Sequence, residues 1–287
     1  MTFESLLEAV KRIGDGGGSV GLVVCNRTEH RSVVNLLGQV FNEQLSVTEE
    51  MLPEHPDDTV LLVRDGKVVD AAPLAELMNC LLLVNSDRFR TGTFGLEDHE
   101  LPSVLRGTSD TALTLRGYPA SNKEKLLWIA VSRDMEARAL RENSGRLDAG
   151  FQNLVRIDDE FGTQEVYERL ADSNVETHVY GTAGRDWINR IADDTDLRIH
   201  IRDTEEIANS WFVVHTSRSG RQGAFVSWEI EENVWRGAWT YDDDLVESIQ
   251  RHIVKSMASD DPATTPGRSR SPDGRVEEEI ESSGTAE

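Results

Sequence analysis

Four polar side chains in a row, Asn85, Ser86, Asp87 and Arg88, follow an apolar run that ends at Val84. Hydrogen-bonding groups placed directly after a buried segment form binding loops, and the same Asn and Asp types also cap turns. A second group, Arg116, Tyr118, Lys123 and Lys125, surrounds a Gly-Tyr-Pro turn and a helix start, where free amides and basic groups can receive an anion. Packing and capping are the competing reading there. Lysine occurs only five times in the chain, so Lys123 and Lys125 stand out. A third group joins Arg156 to Asp158, Asp159 and Glu160. Adjacent acids need a second contributor to hold a cation, and a solvated face or ion pairs with Arg156 or Arg133 are the alternative. Trp235 and Trp239 fall on one side of a regular strand with Gly237 between them, as an aromatic wall for a flat ligand or as core.

Chemistry beyond binding has little to work with. The seven histidines are dispersed, and the sequence contains neither Gly-x-Ser-x-Gly nor His-Glu-x-x-His. No catalytic residue, metal site or cofactor is therefore expected. His178, His200 and His215 could converge if their strands were neighbours, but strand parity leaves that open. Cys25 and Cys80 lie in apolar contexts without partners at metal-ligand spacing and read as small buried hydrophobes.

Charge narrows the partners. With 52 acidic against 30 basic residues the net charge is -22, a composition similar to that of proteins from salt-loving archaea, whose hydrated surfaces stay soluble at molar salt. Such a surface repels nucleic-acid backbones. The segment 29–42 offers only His30 and Arg31, and the basic residues of the central helix, Lys123, Lys125, Arg133, Arg138 and Arg141, are interrupted by Glu124, Asp134, Glu136 and Glu142. Direct nucleic-acid binding is not expected. No stretch reaches 18 apolar residues and the amino terminus has the pattern of an amphipathic helix, which points to a cytoplasmic protein without membrane contact.

The elements that must position these groups form two α/β units. Phe3, Leu6, Leu7, Val10 and Ile13 predict a helix over 3–13, Val20 to Val24 a strand, and Val33, Leu36, Leu37, Val40 and Phe41 a second helix capped by Asn26 with Glu29. Leu45 to Thr48 is a strand, and Arg64-Asp-Gly66 turns a hairpin between Thr59–Val63 and Lys67–Ala71. Leu74 to Leu81 is a helix, residues 82–84 fit strand or helix, and 85–105 read as a long surface excursion. Ser121 and Glu124 suit a capping box for a central helix over 122–141. Beyond it, a helical region carries Phe151, Leu154, Val155 and Ile157, and another carries Val166, Tyr167 and Leu170. Strands follow at Val175–Tyr180, Leu197–Ile201, Trp211–Thr216, Ala224–Ile230 and Trp235–Thr240, then a closing helix with Leu245, Ile249, Ile253 and Met257. From residue 258 the chain is too polar to offset its conformational entropy and is expected to be disordered.

The blocks Leu83-Val-Asn-Ser-Asp-Arg88 with Thr91-Gly-Thr, Leu115-Arg-Gly-Tyr-Pro-Ala-Ser-Asn-Lys-Glu-Lys125, Arg156-Ile-Asp-Asp-Glu160 with Val166-Tyr-Glu-Arg-Leu170, and Trp235-Arg-Gly-Ala-Trp-Thr-Tyr241 resemble the DICT sensory domain in its haloarchaeal form. The resemblance covers about residues 3–255. It implies a non-catalytic sensory or signal-transduction protein, a stand-alone adaptor that binds an unidentified small ligand or signalling partner. A metal-dependent or other small-molecule enzyme, and a transcriptional regulator, are the alternatives. The expected fold is α/β, mixed α+β: a first unit over 1–112, a strand-turn-helix connector over 113–145, a second unit over 146–257 and an acidic tail over 258–287. The two units share an outline, but few residues match between them, so internal duplication and independent origin both stay open. Function is expected where they meet, with Asn85–Arg90 and Arg116–Lys125 forming a polar pocket and the central helix relaying displacement. A purely structural seam, also used for homodimerisation, competes with that reading.

Overall fold

The computed structural model describes residues 2–28, 32–41, 44–85, 99–116, 124–155, 157, 161–182, 197–217 and 221–257. Its amino-terminal part comprises α1 (Leu6–Gly14), β1 (Val20–Cys25), α2 (Ser32–Val40), β2 (Ser46–Glu50), β3 (Thr59–Arg64), β4 (Lys67–Pro73) and α3 (Leu74–Asn85). The short α4 (Ser103–Arg106), β5 (Leu113–Arg116) and the long α5 (Glu124–Glu142) follow. The carboxyl-terminal part has β6 (Arg146–Phe151), α6 (Phe161–Ala171), β7 (Glu176–Gly181), β8 (Arg198–Ile201), α7 (Glu205–Ala208), β9 (Ser210–Thr216), β10 (Gly223–Glu231), β11 (Val234–Thr240) and α8 (Asp243–Met257).

Among the described residues there are two mixed sheets, ordered β2-β1-β3-β4 and β5-β11-β10-β9-β6-β7-β8. In the first, β1 runs parallel to β2 and antiparallel to β3, and β3 is antiparallel to β4. In the second, β6 runs parallel to β7 and antiparallel to β9, and β9 is antiparallel to β10. The arrangement β2-β1-β3-β4 therefore recurs as β7-β6-β9-β10, with β8 added at one edge and β11 and β5 at the other. The parallel pairs β1–β2 and β6–β7 are connected through α2 and α6 respectively, as parallel pairing requires, and β8 runs parallel to β7.

The helix α5 is the middle layer. Leu127, Trp128, Val131 and Met135 belong to one continuous core that runs from Leu22, Val60 and Leu62 of the first sheet to Val213 and Phe225 of the second. A helix covered on all sides loses its polar stripe. Here Glu124, Ser132, Asp134 and Glu136 are buried with it. Asp134 accepts from Arg138 Nε at 2.7 Å, from the Tyr241 hydroxyl at 3.0 Å and from the Leu101 amide at 3.2 Å. The opposite face of the second sheet is closed by α1 and α8, through Leu6, Val10 and Ile13 against Val214, Val226 and Ile249.

Several expected boundaries change. Residues 82–84 continue α3. The strand expected at Leu45–Thr48 is Ser46–Glu50, in parallel register with β1. Phe151 ends a strand rather than joining a helix, because Asp148, which interrupts the apolar pattern, is buried and neutralised by Arg146 and the Tyr180 hydroxyl. Asn26 does not cap α2. Its φ is 45° and its amide is held by the loop at Leu52 and His55. Glu124 opens α5 and accepts from the Arg116 amide and guanidinium, while the cap assigned to Ser121 lies outside the described residues. The expectation for the tail over 258–287 also lies outside them.

Candidate functional site

Lys125, Ile129, Ser132, Arg133 and Glu136 follow helical spacing and place one face of α5 over the carboxyl end of β6. There, Phe151 is paired with Trp211 at the start of β9, and Gln152 follows immediately. Thr163, in the first turn of α6, completes the wall. These residues enclose a cleft of about 50 Å3, room for a few water-sized groups. Its position outside the carboxyl end of a strand that begins a parallel crossover is where α/β sheets receive ligands.

Charge in the cleft is ordered. Arg133 donates through Nη2 to Thr163 Oγ1 at 2.8 Å and through Nη1 to Glu136 Oε2 at 2.5 Å. The other oxygen of Glu136 accepts from the Tyr167 hydroxyl at 3.0 Å. Burial, then the Glu136 carboxylate, push the Tyr167 phenol well above its ordinary value, so it stays a donor. This chain of bonds ties α5 to α6. Lys125, partly exposed, holds its ammonium 6.0 Å from the Trp211 ring centroid, at the outer limit of a cation–π contact.

Gln152 supplies the unusual group. Its φ is 43°, a left-handed conformation, and its Nε2 donates to the Ala208 carbonyl at 2.8 Å and to Glu229 Oε2 at 2.7 Å. Both partners are acceptors, so the amide orientation is determined by chemistry. Oε1 is then buried without a donor, a state that costs about 1–3 kcal/mol. Asn26 holds the equivalent place after β1, with φ 45°. There Nδ2 donates to the carbonyls of Leu52 and His55, each at 2.7 Å, and Oδ1 accepts the Leu52 amide at 2.7 Å. The recurring position is saturated in the first sheet and incomplete in the second.

The described lining includes neither histidine nor cysteine. Ser132 donates its hydroxyl to the Ile129 carbonyl at 3.0 Å, and Thr163 accepts from Arg133, so the hydroxyls serve structure. The arrangement offers cations, an aromatic face and an acceptor, which suits binding.

Of the residues singled out in the sequence, Lys125 lines this cleft. Arg116 ends β5 and engages Glu124 at 3.0 Å through Nε and 2.6 Å through Nη2. Asn85 ends α3. Its side chain, and Ser86, Asp87, Arg88, Tyr118, Lys123 and Arg156, lie outside the described residues. Trp239 is fully buried against Trp128, at 6.4 Å between ring centroids, so it has no exposed edge to form a ligand wall. Trp235 is partly exposed opposite Leu115 and Glu229. Gly237 makes room for Trp128 of α5: a Cβ there would lie 2.6 Å from the indole. His178 and His200 do meet, at 2.9 Å between Nδ1 and Nε2, whereas His215 is on another strand and bonds the Ser144 carbonyl. Among the described residues no group of three or more His, Cys, Asp or Glu side chains could hold a metal ion. Sequence reasoning missed Gln152, Phe151, Thr163 and Ile129 as cleft residues. The sequence held no signal for Gln152, because the strand before it, Arg-Leu-Asp-Ala-Gly-Phe, lacks an apolar pattern.

Residues 104–226 match the family model of DICT, described as a sensory domain in diguanylate cyclases and two-component systems. Every cleft residue, from Lys125 to Trp211, falls inside that match. No curated protein matches the sequence. One solved structure, titled as the crystal structure of polyphosphate kinase from Porphyromonas gingivalis, is similar at 9% identity with a TM-score of 0.30. The alignment covers 86% of this chain and 47% of that one.

Proposed function

We propose that the protein is a non-catalytic sensory protein whose signal is a small molecule received in the cleft between α5, the end of β6 and the first turn of α6. The observation that carries this reading is the coincidence of the cleft with the matched sensory segment, since all its described walls come from residues within 104–226. A ligand there touches α5, and α5 packs against α2, α3 and the second sheet at once. Occupancy can therefore bias how these layers fit, provided the two arrangements bind the ligand with different affinity. The Arg116–Lys125 segment enters this reading through Lys125 at the helix start, with Arg116 holding that start through Glu124.

The acidic composition and scarcity of lysine support a haloarchaeal member of the family working at high salt, and the same charge disfavours direct nucleic-acid contact. Among the described residues no helix is long and apolar enough to cross a membrane. A cytoplasmic location and a signalling protein as downstream partner complete the proposal, and homodimerisation through the outer surfaces is compatible with it. Native mass spectrometry of gently purified protein tests the core of it: a small molecule retained by the wild type and lost in Lys125→Met is expected. Equal retention by both proteins would place the site elsewhere.

A further inference from the structure

The sheet edges are unequal. Among the described residues the edge strand β2 has five residues, β5 and β8 have four each, and β4 has seven. An open edge recruits other strands, and proteins guard edges by keeping them short or charged. β2 follows that rule with exposed Glu49 and Glu50. β4 does not, for Val68 and Val69 are 54% and 53% exposed. The register with β3 pairs Asp70 and Val68 and passes over Val69, a bulge in the edge. In the second sheet the strand equivalent to β4 is β10, and there β11 continues the sheet antiparallel to it. The outer side of β4 is therefore the place that an antiparallel strand fills in the repeated arrangement. Charge indicates which strand. Lys67 and Asp70 bracket the two valines. A second copy turned about a two-fold axis presents β4 antiparallel to β4. With the axis at the Val68–Val69 peptide, Lys67 of each copy lies opposite Asp70 of the other, and Val68 opposite Val69. The chain beyond Met257 is a poor competitor for the edge, since Val276 and Ile280 are its only large apolar residues and Pro, Gly, Asp and Glu are disfavoured in strands. Net charge -22 opposes self-association, but at 1 M salt it is screened beyond about 3 Å, which leaves pairs in direct contact.

We infer that two copies of this chain associate through β4, the two strands pairing antiparallel about a two-fold axis so that the first sheets join into one. The inference stands apart from the cleft, because no residue of β4 lines it. One strand pair buries little surface beside that of stable dimers, so the association is weak and depends on concentration.

Sedimentation equilibrium of the full chain at molar salt reads the association. The wild type should pass from monomer to dimer as its concentration rises. Lys67→Asp puts two Asp–Asp pairs into the interface and Asp70→Lys two Lys–Lys pairs, and each should weaken the dimer at least about fivefold. Combining the two restores opposite charges and should restore the affinity. General repulsion makes a different prediction, since Asp70→Lys reduces the net negative charge and would then tighten association. Asp70 also accepts the Ala71 amide through Oδ1 at 2.7 Å. The double variant lacks that bond as well, so its recovery separates pairing across the interface from a local disturbance of β4. Circular dichroism confirms that all three variants fold. A wild type that stays monomeric at every concentration would mean that the bulge at Val69 guards the edge, and would overturn the inference. A dimer indifferent to both charge reversals, or a double variant no tighter than the single ones, would overturn the pairing through β4.

Discussion

Buried polar groups decide most of what single residues do here. Asp134 is fully buried and compensates Arg138 while accepting from Tyr241 and Leu101. Asp134→Ala leaves a largely buried guanidinium without its counter-charge, so a loss of about 3–5 kcal/mol is expected in urea unfolding. The His178 and His200 rings stack at 5.1 Å on the second sheet, with Glu176, Arg146, Asp148, Arg198 and Tyr180 around them. Burial, then the neighbouring His178, hold His200 down at about 4 from its ordinary 6.5. The unfolded chain therefore takes up a proton below about pH 6.5 that the folded chain refuses. Stability is unaffected by this group above that pH and falls as the pH drops from about 6.5 to about 4. Urea midpoints measured across that window should decline in the wild type and decline less in His200→Gln. An identical decline in both would remove His200 as the cause.

At the scale of elements, patterning made most of the fold legible. The Asp65-Gly66 turn, the late strands and the closing helix carry local signals that agree with their packing, and Asp242 caps α8 by accepting the Leu245 amide at 2.9 Å. β6 was hidden for a physical reason. Its sequence Arg-Leu-Asp-Ala-Gly-Phe has an acid at a buried position, and the compensating Tyr180 hydroxyl comes from the next parallel strand. Gln152 was likewise illegible, since a left-handed φ and an unmet acceptor leave no mark on residue type. The close approach of α5 to β11 depends on Gly237. Gly237→Ala brings a methyl to 2.6 Å from Trp128 and 2.8 Å from Ser227 Cβ, both buried, so overpacking of about 1–3 kcal/mol is expected in thermal melts. An unchanged melting temperature would mean that the helix moves away freely.

Across the whole molecule, the recurring order β2-β1-β3-β4 and β7-β6-β9-β10 gives two related sheets, with α5 between them and the cleft on its first half. The sequence suggested an outline shared by the two halves, but without β6 and with the β10–β11 hairpin in the place of β3–β4; the recurrence of β1 as β6 and the different fates of Asn26 and Gln152 were not legible, because they depend on which strands pair and which loop folds back onto each amide. If the cleft is the sensing site, α5 connects it to α2, α3 and the second sheet, against which the helix packs. Hydrogen–deuterium exchange on the full chain, with and without a small-molecule extract of the producing cells, tests that claim most directly. Slower exchange in α5 and α6 is expected for the wild type and is expected to vanish in Lys125→Met combined with Gln152→Asn. Unchanged exchange in both helices, or slowing that persists in the double variant, would contradict the cleft as the sensing site.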